Sequence, residues 1–434
     1  MGLIKFYQLS LVTAVGTIFS VLATGQAQAY TFTKIADSSN FPPIGICCSS
    51  TVSFFKSAAI NNQGTVVFGG DLPRDFNNSG NINNPRYGIL VGNGDQLTAI
   101  ADTYGEIGSN IGSILGGEES FLESSPDIND QGTVAFWAYL DTPRSFPFGE
   151  NGIFISSGGS IISLPNKFIF SMQPVINNQG TLVFWGHNSF SLGNGFHSSR
   201  NSIVTSKDGL LTAIAIATPS SNDISSPWSD LSNPTINDED TVVFNGVLKN
   251  GVSGIFISSD GLFTTIADSS GIFNNYFGEP AINDWGTVAF SASLDTGGYG
   301  IFTNSGGDIT TIFDNSSPFA YPGGIAINNK GNLAFSASLD VGGYGIFTGS
   351  DPVADKVIAT GDTLFGSKVK GLGFRREGFN DAGQIAFFAE LEDGTQGIYR
   401  ANPDPEAPKS IPEHTSVLGL LGMSVLALAK QRKS

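Results

Sequence analysis

Asn61-Asn62-Gln63-Gly64-Thr65-Val66-Val67-Phe68 couples a four-residue turn to a short apolar strand, and Asn129-Asp130-Gln131-Gly132-Thr133-Val134-Ala135-Phe136 repeats it. The turn returns at Asn177, Asn237, Asn283, Asn328 and Asn380, at successive intervals of 68, 48, 60, 46, 45 and 52 residues. Asn and Asp side chains bond their own backbone in a turn, and the Gly accepts the positive φ that a β-branched residue resists. In the fourth copy Asp240 stands where the others have Gly, and Asp is among the few residues that tolerate that region. The turns offer too few carboxylates for the six to eight oxygens of a calcium loop, so they read as turns.

Three further pieces travel with each copy. An apolar stretch precedes the turn, as in Pro174-Val175-Ile176-Asn177 and Pro280-Ala281-Ile282-Asn283. A Gly-Ile-Phe piece follows the Phe strand (Gly152, Gly254, Gly300, Gly345), and a Leu/Phe-Thr-x-Ile-Ala piece closes the unit (Leu97, Leu211, Phe263, with Ile309 a variant). Each is a run of β-formers bounded by Gly, Asn, Asp or Ser. Four strands per unit and seven units predict an all-β fold, a seven-bladed β-propeller of four-stranded antiparallel blades. A β-solenoid is the alternative, but its rungs repeat at shorter and more even intervals.

The closing piece is missing after the seventh copy, where Gly397-Ile398-Tyr399-Arg400 runs into a Pro-rich stretch. A near duplicate stands at the other end, Thr31-Phe32-Thr33-Lys34-Ile35-Ala36-Asp37. This N-terminal strand is expected to pair with Gly397–Arg400 and close the ring, leaving no large unpaired edge.

Charged residues are 14% of the chain and Gly numbers 55, a balance that suits turn-rich β structure. The net charge of −17 offers no basic field for phosphates, which excludes nucleic acid as a partner. The two cysteines, Cys47 and Cys48, are adjacent. A disulfide between them would be strained, and they lack the spacing of metal ligands.

Residues 1–29 have the form of a secretory signal: Lys5, an apolar stretch from Leu11 to Leu22, and Ala27-Gln28-Ala29 before the cut. Residues 30–402 are the propeller, 403–411 a Pro-rich linker, and 412–434 a tail that begins Pro412-Glu413-His414. An apolar run from Val417 to Ala429 follows, then Lys430, Arg432 and Lys433. The run is short for a full membrane span. The tail resembles the PEP-CTERM sorting signal on Pro412 and Glu413, while His414 departs from the Pro usual at the third position. The resemblance implies recognition by an exosortase-type sorting protease, a bacterial source, transient membrane association through both termini, and delivery to the envelope or extracellular matrix. The repeats themselves resemble the NxxGxxAF-type tandem repeats of exported bacterial proteins, over most of residues 55 to 400. That family supplies no activity to carry over.

In a four-stranded meander the first-to-second and third-to-fourth turns share one face, and here both are short. The insertions belong to the other face: Asp71–Tyr87, Thr103–Ser125, Asp141–Asn151, Gly186–Ser202 and Thr218–Asn233. Irregular loops on a rigid scaffold are where binding resides. They carry Arg74, His187, Phe196, His197, Arg200 and Trp228, the candidate binding residues, in an aromatic setting that suits sugar rings. The best pocket is expected on this face, near the central channel. No nucleophile elbow, Walker loop, zinc motif or dinucleotide fingerprint appears, and nothing in the sequence requires a cofactor. The sequence therefore reads as a non-catalytic binding module for polysaccharide or another surface partner. A structural spacer and a glycan-acting propeller enzyme are the alternatives.

Overall fold

The computed structural model describes residues 30–38, 54–71, 87–102, 125–139, 151–164, 170–191, 197–218 and 225–404. All belong to one compact unit, Ala27–Ala407. The two ends read as sorting segments lie outside the described residues, as do Cys47 and Cys48.

Seven antiparallel sheets follow one another along the chain, six of them with their strands in sequence order from the inside outward. In blade 4, for example, Trp228–Ile236, Val242–Leu248, Ser253–Ser259 and Leu262–Asp268 pair consecutively. Blade 7 takes three strands from the C-terminal end, Ser367–Gly373, Ile385–Leu391 and Gln396–Pro403, and its fourth, Tyr30–Asp37, from the N-terminal end. The register runs from Tyr30 opposite Pro403 to Asp37 opposite Gly397. The predicted ring closure is present, with the predicted partner.

Phe is abundant because each blade interface is built on it. The Phe of the second strand faces the aromatic of the Gly-Ile-Phe piece across the ladder: Phe136 opposite Phe154, Phe244 opposite Phe256, Phe290 opposite Phe302, Phe335 opposite Phe347, and Phe387 opposite Tyr399. Ring centroids in these pairs lie 5.6–6.2 Å apart, within the range where aromatic contacts add to area burial. Because side chains alternate across a strand, residues between the Phe positions face the next blade. Val67, Ile89 and Ala101 of blade 1 thus pack on Ile128, Val134 and Phe136 of blade 2. The same joint recurs at every interface, including the closing one, where Ile35 and Ala36 join Phe388 and Ile398 to Ile60, Val66 and Phe68.

The glycine of the Gly-Ile-Phe piece is a packing requirement. A Cβ on Gly300 would stand 2.7 Å from the Phe313 carbonyl oxygen and from the Phe302 ring. The turn glycine is conformational: Gly64, Gly132, Gly180, Gly286, Gly331 and Gly383 have φ between 76° and 79°, and Asp240 takes φ 56° in their place.

Two insertions differ from expectation. Much of Gly186–Ser202 is not loop: Leu182–Ser191 and His197–Lys207 continue their ladder to the pair Ser191 and His197. Unbroken alternation lets paired strands extend past the sheet body. Thr218–Asn233 likewise contributes its last residues, from Trp228 on, to the strand Trp228–Ile236.

Candidate functional site

The seven innermost strands end at the Asn-x-x-Gly turns, and there they are laced into two closed rings. The first Asn of each turn accepts with Oδ1 from its own turn, as Asn177 does from the N–H groups of Gln179 and Thr181 at 3.0 and 2.8 Å. Its Nδ2 donates to the backbone oxygen of the matching Asn one blade on. The circuit runs Asn61, Asn129, Asn177, Asn237, Asn283, Asn328, Asn380 and back to Asn61, with distances of 2.8–3.1 Å.

The second ring uses the next residue of each turn. The N–H of Asn62 donates to Oδ1 of Asp130, and the pattern continues through Asn178, Asp238, Asp284, Asn329 and Asp381 back to Asn62, at 2.7–2.9 Å. Asn62, Asn178 and Asn329 also spread their Nδ2 groups between the flanking carboxylates. Amide and carboxylate alternate except once, where Asp238 adjoins Asp284. Burial, and then the charges of Asp238 and Asp381, hold the Asp284 carboxyl above its ordinary range. Together the rings line a bowl of about 170 Å³. Among the described residues no group of three or more His, Cys, Asp or Glu side chains is placed to hold a metal ion.

Deeper in the channel sits a charged plug that no repeat announces. Arg376, on a 3-10 turn of blade 7 (Arg376–Gly378), crosses to blades 4 and 5. Its Nη2 donates to the Pro234 oxygen at 2.6 Å, and its Nη1 to those of Pro280 and Asn233 at 3.3 and 3.4 Å. Glu377 receives Arg375 Nε and Arg376 Nε, both at 2.6 Å. Burial opposes its ionisation, but the two guanidinium groups win and bring the carboxyl down to about 2. Asp127 of blade 2 stands beside them, accepting from the N–H groups of Ile128 and Ile176 at 2.9 and 2.8 Å. Burial first, and then the Glu377 charge, push it up to about 7.

A carboxyl raised in the folded state stabilises fully below its unfolded value, about pH 4, and that stability is lost as pH rises through about 7. We therefore expect wild type to lose melting temperature between pH 5 and pH 8 relative to Asp127→Ala. Ala occupies the matching position in blades 1, 5 and 6, at Ala59, Ala281 and Ala326. Parallel pH profiles for the two proteins would contradict the assignment.

Among the described residues, the bowl is a cavity at the turn-face mouth of the channel, where short polar turns converge. The pocket expected on the loop face involves Asp71–Tyr87, most of which lies outside the described residues. A groove of about 140 Å³ lies between blades 4 and 5, lined by Asp230, Ser232, Asn245, Ser253, Asn275 and Phe277 among others. Asn245 donates its Nδ2 to the oxygens of Phe277 and Gly278 at 3.0 and 3.1 Å, while its buried Oδ1 has no partner.

The sequence-predicted residues fall unevenly around this face. His187 stacks on Trp185 with centroids 5.8 Å apart, and its Nδ1 meets Asn201 Oδ1 at 2.7 Å. Asn201 in turn donates to Asp230 at 2.6 Å. Arg200 is half-buried on the third strand of blade 3, opposite Asn188. Trp228 is not a surface group: it is 3% exposed and packs edge-on against Phe244, Phe256 and Phe263. An indole beside that many rings is more stable in the interface than in water. Arg74 and Phe196 lie outside the described residues, as does the side chain of His197, whose backbone ends the long ladder of blade 3.

Sequence reading misses three tyrosines on the loop face of blades 5 and 6. Tyr276 meets Tyr299 with centroids 5.7 Å apart, and Tyr299 meets Tyr321 at 5.2 Å. A signal exists: a Tyr stands before the Gly-Ile piece at Tyr87, Tyr299 and Tyr344.

These features define a closed seven-bladed propeller with a self-bonded turn face and, among the described residues of the other face, a groove between blades 4 and 5. The chain belongs to a family of unknown function, DUF7453, whose model matches residues 16–167 and 176–370. No curated protein matches the sequence. Among solved structures it is similar to a puromycin-hydrolyzing peptidase of Mycobacterium tuberculosis, at 11% identity and TM-score 0.52, over 81% of this chain and 52% of that one. The chain thus spans about half the length of that peptidase. It is also similar to an oligogalacturonate lyase in complex with manganese, at 12% identity and TM-score 0.50, over 88% of this chain and 99% of that one. At these identities the likeness is one of fold, and function has to be argued from the site.

Proposed function

We propose that this protein is an exported repeat protein of the bacterial cell surface or extracellular matrix that binds polysaccharide through its loop face. The observation that carries the reading is the contrast between the two faces. On the turn face the amides and carboxylates bond one another around the ring, whereas the loop face holds a groove with an unsatisfied buried acceptor and exposed aromatic rings. A preformed concavity with a few convergent polar groups is the default ligand site. Residues 1–29 act as the secretory signal in this reading. Residues 412–434, with Pro412 and Glu413, act as a PEP-CTERM-like signal for an exosortase-type protease, so membrane association is transient. The NxxGxxAF-type character of the repeats fits the same address. No helix among the described residues is long and apolar enough to cross a membrane.

Intact-mass analysis of protein recovered from the producing cell's extracellular material tests the address. The expected species begins at Tyr30 and lacks the basic C-terminus; a cytoplasmic species ending at Ser434 contradicts it. Retention of the same protein on the cell's own polysaccharide tests the binding.

A glycan-acting enzyme is the second reading, favoured by one observation. A histidine oriented by an amide that is itself held by a carboxylate, as in His187, Asn201 and Asp230, is how a general base is positioned. Depolymerisation of the bound polysaccharide by wild type but not by His187→Gln would select it.

A further inference from the structure

We propose that Tyr276, Tyr299 and Tyr321, with the adjoining groove at Asn245 and Asn275, form a subsite for an uncharged chain of pyranose sugars. The inference rests on the surface-binding reading above and names the ligand class of that face.

The fold does not require these rings where they are. Tyr276 is 53% exposed and Tyr321 62%, far from the buried Phe pairs that hold the blades. Tyr276 stands in a stretch of strand where the pairing skips from Phe273 to Phe277, so the ladder places no demand on it. Tyr321 stands in a similar gap between Phe319 and Pro322. Tyr344, the repeat equivalent of Tyr299, is half-buried as Tyr299 is, but it bonds Ser336 Oγ at 2.7 Å and joins no tyrosine row among the described residues. The trio is therefore a local feature of blades 5 and 6, not a consequence of the repeat.

Its geometry suits sugar. Tyr276 and Tyr299 are perpendicular, at 89°, and Tyr299 and Tyr321 are inclined at 53°. The rings form a stepped row, with phenol hydroxyls as polar tips. A pyranose ring presents C–H groups from its faces and hydroxyls from its rim. The C–H groups sit favourably on the negative face of an aromatic ring, and the hydroxyls need partners at the margin. Asn275, the neighbour of Tyr276 in sequence, lines the groove in which Asn245 Oδ1 lacks a donor. The Asn245 amide is oriented by its two bonds to the backbone oxygens of Phe277 and Gly278.

Charge selects among glycans. Asp230 lines the groove, Glu279 and Asp295 are exposed nearby in sequence to Tyr276 and Tyr299, and no Lys or Arg is among the groove residues. With a net charge of −17 over the whole chain, a uronate polymer is repelled by the molecule as a whole. An uncharged chain is not.

Affinity electrophoresis of the mature protein tests this in gels containing hydroxyethyl cellulose, galactomannan, dextran, polygalacturonate or the producing cell's own polysaccharide. We expect retardation by at least one uncharged glycan and none by polygalacturonate. Tyr276→Ala and Tyr321→Ala should each weaken binding about tenfold, the loss of one aromatic contact. Gln131→Ala, exposed on the turn face, should bind as wild type. Both rings are exposed, so the variants should melt with wild type. Binding of the cell's own polysaccharide that is equal in wild type and tyrosine variants overturns the subsite and leaves the surface-binding reading standing. Preference for polygalacturonate overturns the uncharged ligand class. No retardation of wild type in any gel overturns both.

Discussion

Removal of Tyr30–Asp37 is expected to lower the melting temperature by on the order of 10 °C, through the loss of several kcal/mol of burial. The strand donates a full ladder to Gln396–Pro403, and Ile35 and Ala36 are 5% and 0% exposed at the joint between blades 7 and 1. Without it, Gln396–Pro403 becomes a bare edge, and the closing interface loses one of its two walls. An exposed edge of that length also invites pairing with another chain, so the truncated protein should associate at high concentration. Supplying a peptide of residues 30–38 in trans should restore part of the melting temperature, because the missing element is a separate strand and not a covalent requirement. A truncated protein that melts within about 2 °C of wild type, the shift of only about one kcal/mol in a domain this large, would mean that the ring does not depend on this closure.

That closure is legible in the amino-acid sequence because it follows from local pattern plus counting. The fourth piece appears six times after its blade and once ahead of the first. Period-2 apolar runs and turn chemistry are short-range properties, and the propeller is their sum. Much else on the site surfaces is not short-range. The first Asn of each turn is legible as a turn former, since its Oδ1 serves its own backbone two and four residues on. Its Nδ2 bond to the next blade spans up to 319 residues, from Asn380 to Asn61, and no local pattern encodes it. Trp228 is misread as a loop residue because an aromatic in a low-periodicity stretch looks the same in a loop as at the start of a strand. What decides is the presence of Phe244, Phe256 and Phe263 around it. The tyrosine row escapes for the opposite reason: two of its three members, Tyr276 and Tyr321, sit in ladder gaps, where the repeat alignment breaks and residue-by-residue comparison stops. Arg376 is invisible to repeat logic altogether, because it stands outside the repeat.

The second large effect concerns that arginine. Arg376→Ala is expected to destabilise the protein by about 3–5 kcal/mol, the range for removing one partner of a buried ion pair. The side chain is 4% exposed and bonds three backbone oxygens, of Asn233, Pro234 and Pro280, besides Glu377. Truncation leaves those oxygens short of a donor and leaves the Glu377 carboxylate, 11% exposed, with Arg375 alone. The neighbouring Asp127 then feels less positive charge, which raises its carboxyl further and strengthens its preference for the protonated form. The loss should therefore be smaller at pH 5 than at pH 8, because at the lower pH Asp127 no longer competes with Glu377 for the remaining guanidinium. The plug as a whole is a different matter from its parts. Desolvating charges offsets much of their mutual attraction, so replacing the set with apolar groups of similar size is far milder than breaking it. Arg375→Met, Arg376→Met and Glu377→Leu combined should recover most of the stability lost in Arg376→Ala. Urea unfolding of the three proteins at both pH values separates these outcomes. A loss under about 1 kcal/mol in Arg376→Ala, the ordinary scale of a surface pair, would show that the channel does not need its plug. A triple variant as unstable as the single one would show that the carbonyls of blades 4 and 5 require a donor there, whatever the charge.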